Sequence, residues 1–155
     1  MKIAAFVDSM ALSQNIFYMT KTFNKLGADK ISPFCFYSNL STQAVGPDFA
    51  VMNCYYGNHY SEGPALATSI ETLKILHNLN IKARKFFYCW DLEWLRNPQN
   101  YSDNIGLFRN EYISIVARSE SHARCIENYT NKKVSHIIED WNYEEVKELI
   151  WSTSN

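Results

Sequence analysis

Asp91 and Glu93 stand two residues apart, flanked by Trp90 and Trp94, and this pattern suits sugar recognition. An indole face covers the C–H side of a sugar ring while carboxylates accept hydrogen bonds from its hydroxyls. The same residues carry a structural alternative, in which Asp91 caps a helix and the tryptophans pack the sheet edge. His59 lies in a polar segment with Tyr55, Tyr56 and Glu62 close in sequence. An imidazole there is a candidate general base or acceptor ligand, or an exposed loop histidine. Pro64 suits the first position of a helix, and the free N–H groups of such a helix could hold a phosphate. On that reading Thr68 and Ser69 lie too far into the helix to help. Asp8-Ser9 and Arg118-Ser119 each follow an apolar run; both serines and Asp8 double as helix-cap candidates, and Arg118 as an anion partner. The candidate set is thus Asp91, Glu93 and His59 for catalysis, with Asp8, Ser9, Tyr56, Glu62, Trp90, Trp94, Arg118 and Ser119 for substrate. His77, His122 and His136 carry no pattern and read as structural.

What must position these residues is a set of short apolar strands. Ile3–Val7, Ile31–Tyr37, Phe49–Tyr55, Phe86–Trp90, Tyr112–Ala117 and Val134–Ile138 are apolar nearly throughout, as expected for strands buried on both faces. Between them, Leu12, Ile16, Met19, Phe23 and Leu26 recur at helical spacing up to a stop at Gly27. Ser38 to Pro47 reads as a loop. Leu66, Ile70, Leu73 and, one turn on, Leu76 or His77 predict a helix opened by Pro64. Leu92–Ser102 is irregular or a short helical turn, Asp103–Asn110 is a candidate for another such turn, and Ser119 is placed to cap a helix to about Tyr129. Asn142 and Glu145 form a candidate capping box for the last helix. This alternation predicts one α/β, Rossmann-like domain over residues 1–155, with a mostly parallel sheet of about six strands and helices on both faces. In such sheets working residues gather beyond the carboxyl ends of the strands. That rule selects Asp8-Ser9, Tyr55–Glu62, Trp90–Trp94, Arg118–Glu120 and Glu139–Asn142.

Composition and missing motifs narrow the function. A net charge of −1 gives no cationic field for gripping nucleic acid by its phosphates. Five glycines supply neither GxGxxG nor a Walker loop, and neither a GxSxG elbow nor an HExxH pair occurs. The four cysteines lack any CxxC, which predicts buried free thiols in a reducing, cytoplasmic compartment. The apolar N-terminal run is too short for a signal peptide, and no stretch of eighteen apolar residues exists to span a membrane. Neither a cofactor nor a metal is expected.

Two segments carry a family resemblance. Tyr112–His122 followed by Lys133–Asn142 resembles the end of the N-terminal half of GT-B glycosyltransferases, where a strand ends in a serine that opens a helix and a Val-x-x-Ile strand leads to a polar turn. Phe86–Trp94 is similar to short bacteriophage glycosyltransferase-like proteins, whose middle strand ends in an aromatic-acidic turn. The turn here reads Glu139-Asp140-Trp141-Asn142, where the family more often has Pro-Asn-Gly, and the paired glutamates of the family's donor half have no counterpart. The resemblance implies an acceptor-side half that transfers a sugar from a nucleotide sugar together with a second copy or a donor-binding subunit. The alternative is a non-catalytic adaptor or inhibitor using Trp90, Trp94, Tyr55, Tyr56 and Trp141 as a protein-binding patch. A DNA-modification role, with nucleic acid only as acceptor, follows from the phage resemblance alone.

Overall fold

A computed structural model describes residues 1–41, 46–96 and 98–153; positions 42–45 of the predicted 38–47 loop, and position 97 of the irregular stretch, lie outside the described residues. Among the described residues, seven strands form one sheet: β1 (Lys2–Val7), β2 (Ser32–Tyr37), β3 (Ala50–Asn53), β4 (Ala65–Ala67), β5 (Lys85–Tyr88), β6 (Ile113–Ala117) and β7 (Val134–Ile137). Their order is β3-β2-β1-β4-β5-β6-β7, and every pairing is parallel. The fold is therefore the expected α/β, Rossmann-like one, with seven strands in place of six.

Among the same described residues, five α-helices cover it: α1 (Gln14–Ala28), α2 (Ile70–Asn78), α3 (Tyr101–Phe108), α4 (Glu120–Thr130) and α5 (Tyr143–Ser152). Strand side chains alternate between two cores. Ala4, Phe6, Phe87 and Ile115 pack with Leu73, Leu76, Phe108 and Ile126 from α2, α3 and α4. Ile3, Ala5, Val7 and Phe86 pack with Met19, Phe23, Leu149 and Ile150 from α1 and α5. Period-two strands between period-3.6 helices produce this division.

The strand missed in the sequence is β4. Its three residues, Ala65–Ala67, are fully buried between β1 and β5, and α2 starts only at Ile70, with Ser69 as its N-cap. Pro64 had suggested a helix start; it instead precedes a strand, where its carbonyl accepts the Ala4 N–H. From β3 the chain crosses the face of the sheet as a 3-10 turn, Cys54–His59, and reaches the amino end of β4. Gly63 makes that entry. Its φ is +78°, and a Cβ there would stand 2.1 Å from the Lys2 carbonyl oxygen.

Smaller differences have local causes. Gly27 lies within α1 rather than after it; the left-handed residue that closes the helix is Lys30, at φ 61°. Leu12 precedes α1 and is exposed. Asn142 caps α5 through the Glu144 and Glu145 amides, but the Glu145 carboxylate turns back to the Glu139 amide, so no reciprocal box forms. Cys35, Cys54 and Cys89 are buried free thiols, whereas Cys125 is exposed, because α4 buries the Ala123, Ile126 and Thr130 stripe and Cys125 lies off it.

The two glycines give a matched pair for a urea melt. Gly63→Ala meets backbone in a conformation that L residues rarely adopt, and is expected to cost about 2–4 kcal/mol. Gly27→Ala adds a methyl into open space within a helix and is expected to stabilise by about 0.5–1 kcal/mol. A tolerated Gly63→Ala would contradict the placement of β4.

Candidate functional site

β1 and β4 are neighbours, yet the chain leaves β1 toward β2 and β3 and returns on the other side with β4. This reversal is the topological switch point, where a crevice opens beyond the carboxyl ends. Here it is a cleft of about 760 Å³ lined by Asp8, Ser9, Ser69, Trp90, Glu93 and Arg118 among others. A second hollow of about 390 Å³ adjoins it and shares Trp90, Asp91 and Arg118.

The cleft floor is the start of α2. The first N–H groups of a helix have no partner within it and attract negative charge. Ser69 Oγ accepts the Thr72 N–H, and Thr72 Oγ1 accepts the Ser69 N–H, closing a capping box. Ser69 Oγ then donates to Asp8 Oδ1 at 2.8 Å. Glu93, from beyond β5, accepts the Ile70 N–H on Oε2 at 3.0 Å. Two carboxylates from different strands thus occupy the position where a doubly wound fold commonly holds a phosphate. Burial raises the Glu93 pKa above its ordinary value, and Asp8 and Asp91 push it further up; the Ile70 N–H and Arg96 oppose this. A carboxyl group raised in this way is a stronger base than an ordinary carboxylate. Asp91 itself pairs with Arg96 at 3.1 Å on the exposed rim.

Arg118, from the end of β6, lies 3.9 Å over the Trp90 ring and donates from Nε and Nη2 to Asp140 Oδ1. Asp140 belongs to a tight turn closed by the Asn142 N–H on the Glu139 carbonyl at 2.7 Å. Both central residues are left-handed, Asp140 at φ 44° and Trp141 at φ 57°. That backbone costs roughly 1–2 kcal/mol per L residue. Trp141 is held in it by its surroundings. Its indole N–H donates to Asn15 Oδ1, its carbonyl accepts from Thr22, and its ring meets Phe23 and Tyr88 edge-on.

The structure brings together Asp8, Ser9, Trp90, Asp91, Glu93 and Arg118 in the cleft, with Ser119 in the adjoining hollow. It separates His59, Tyr56 and Glu62 from them. Glu62 pairs with Lys2, the first residue of β1, at 3.0 Å, and His59 and Tyr56 line a mostly apolar hollow of about 200 Å³ with Lys2, Phe34 and Met52. Glu62 therefore sits at the amino rim, and Tyr56 and His59 lie over the sheet face on the way to it, a correction that follows from β4: the chain has to return to that rim before the strand can run parallel. Trp94 is also corrected. It is 2% exposed, stacked on Tyr129 and edge-on to Phe108, and is core rather than ligand surface. Trp141 is equally buried, which removes two of the five aromatics from the alternative binding patch. Trp90 keeps its place in the cleft but has Arg118 over its ring.

Sequence reading missed Ser69, Thr68 and His122. The Ser-x-x-Thr box at Ser69 was the available signal, obscured by the apparent start at Pro64. Arg118 N–H donates to His122 Nδ1 at 3.3 Å, and burial together with Arg118 lowers the His122 pKa. Among the described residues, no three His, Cys, Asp or Glu side chains are grouped to hold a metal ion, and no helix is long and apolar enough to cross a membrane.

Fold and crevice define a doubly wound α/β protein with a polar, carboxylate-lined cleft at its switch point. No protein-family model, curated protein or solved structure matches the chain.

Glu93 gives the cleft a pH signature. Because its folded pKa is raised above the ordinary 4.5, the folded state holds the proton more tightly than the unfolded chain does. Its contribution to stability is then complete below about pH 4 and is lost as pH rises through the folded pKa. Glutamine keeps an oxygen for the Ile70 N–H and has no proton to lose. Glu93→Gln is expected to melt higher than wild type at pH 7, with the gain shrinking toward pH 4. A variant that melts lower at pH 7 contradicts this.

Proposed function

We propose that the chain is the acceptor-side half of a glycosyltransferase, working with a second copy or a separate donor-binding subunit to transfer a sugar from a nucleotide sugar. One observation carries this reading: the switch-point cleft gathers three carboxylates, Asp8, Asp91 and Glu93, beside the Trp90–Arg118 stack. Such a lining accepts hydrogen bonds from several hydroxyls and donates others from Arg118. It disfavours a nucleotide's phosphates on α2, whose N-terminus is occupied by the protein's own carboxylates. A hydroxyl-rich acceptor is the ligand that suits it.

In this mechanism Glu93 is the general base. Its Oε2 is fixed on the Ile70 amide, and its raised pKa matches the task. Asp8 and Asp91, each already tied to Ser69 or Arg96, orient the acceptor. The acceptor hydroxyl passes its proton to Glu93 as its oxygen bonds to the anomeric carbon. The bond from that carbon to the nucleotide's terminal phosphate oxygen breaks, and the nucleotide diphosphate leaves with the electron pair. The donor-binding half would hold that leaving group.

The test is nucleotide release from a panel of nucleotide sugars, with a donor-binding partner co-purified from the source cells and simple glycosides as acceptors. Release that requires an acceptor is expected, with Glu93→Gln lowering turnover about 10²–10⁴-fold while the chain stays folded. Absence of release with the partner present, or full activity in Glu93→Gln, counts against the proposal. A partner bound equally well by Asp91→Ala/Glu93→Ala, without turnover in either protein, would favour the adaptor alternative.

A further inference from the structure

The acceptor-side reading leaves the hollow beyond Arg118 unused. It adjoins the main cleft, shares Trp90, Asp91 and Arg118 with it, and adds Ser119, His122 and Asp140. The main cleft alone is within the range that holds a drug-sized ligand, roughly 300–1,000 Å³. The two hollows together exceed what a single sugar ring needs.

Arg118 divides them and is held from three sides. Its guanidinium is over Trp90, its Nε and Nη2 donate to Asp140, and its backbone N–H donates to His122. Of the five guanidinium N–H groups, two are committed to Asp140, leaving others for a ligand. With Nδ1 of His122 accepting, its neutral ring carries the proton on Nε2, a fixed donor. Ser119 adds a hydroxyl. Asp91 and Glu139 supply acceptors on the same walls. The walls carry both donors and acceptors, and the Arg118 charge is already matched by Asp140. An anionic group would face three carboxylates, whereas an uncharged hydroxyl-bearing unit finds partners of both kinds.

The left-handed turn at Asp140 and Trp141 is the device that sets this arrangement. Neither residue is glycine, so the turn is held by the contacts of Trp141 beneath it, and it aims Asp140 at Arg118. Strained backbone of this kind persists where the surroundings over-determine it.

We propose that the hollow beyond Arg118 is a second saccharide subsite, that the acceptor therefore has at least two linked sugar or polyol units lying across the Arg118–Trp90 partition, and that Asp140 is the positioning residue of that partition. This rests on the acceptor-side reading and specifies its substrate.

The test titrates the full chain with methyl hexosides and with the disaccharides built from them, following backbone amides by NMR. The best disaccharide is expected to bind about tenfold tighter than its methyl monosaccharide, and to shift Ser119 and His122 in addition to Asp8 and Ser69. Asp140→Asn keeps a side chain suited to left-handed backbone but loses the charge. It is expected to bring the disaccharide-to-monosaccharide ratio to about one and to remove the His122 shift. Asp140→Gly, which meets no conformational obstacle in the turn, repeats the measurement should the first variant fold poorly. Equal affinity for one and two units in wild type, or an undiminished ratio in both variants, overturns the second subsite. Absence of binding by every saccharide overturns the sugar reading itself.

Discussion

Helix α2 begins under the cleft, and its leading amides must find acceptors there. They find them on side chains supplied by two other strands: Glu93 from beyond β5 takes the Ile70 N–H, and Asp8 from beyond β1 takes the hydroxyl of the capping Ser69. These bonds tie β1, β4 and β5 together at their carboxyl ends. They also gather negative charge where the helix dipole tolerates it, around a carboxyl group, Glu93, whose proton affinity burial raises against the opposing pull of the Ile70 amide. The crevice has its acidity because the helix start needs these groups. Function and fold use the same side chains.

A second constraint acts at the other end of the cleft. Arg118 would swing freely on its long side chain were it not clamped between Trp90 and Asp140. The clamp depends on a turn that L residues resist, and that turn depends on Trp141 being locked in the core against Phe23, Tyr88, Asn15 and Thr22. Order is thus passed from a well-packed interior to an exposed rim. A cation with fewer free rotamers loses less entropy when a ligand binds.

Much of this fold was legible in the sequence, because strands buried on both faces are apolar throughout and cannot be confused with amphipathic helices. Ile3–Val7 announces itself in this way, and Ile113–Ala117 does so with Ser114 as its one polar residue. β4 did not, since three small or apolar residues behind a proline fit the start of a helix as well as a strand. That single omission placed His59, Tyr56 and Glu62 with the cleft residues in the sequence reading, and hid Ser69 inside a helix it in fact caps. Asp8, Asp91, Glu93 and Arg118 were found because a residue directly after a parallel strand has few places to go. Trp94 was misplaced because an exposed aromatic and a core aromatic look alike until Tyr129 and Phe108 arrive from distant parts of the chain. The left-handed turn at Asp140 carries no glycine or Asn-Gly signal and is dictated by tertiary contacts alone.

The shared use of Glu93 by helix and cleft can be measured at one atom. The Ile70 amide proton, followed by NMR while pH is lowered from about 8 to 3, should move in a single step as Glu93 takes up its proton, with a midpoint above 4.5. An Ile70 amide indifferent to pH over that range, or one that moves at or below 4.5, would show that Glu93 does not cap α2 as a half-buried carboxylate and would dissolve the cleft described here.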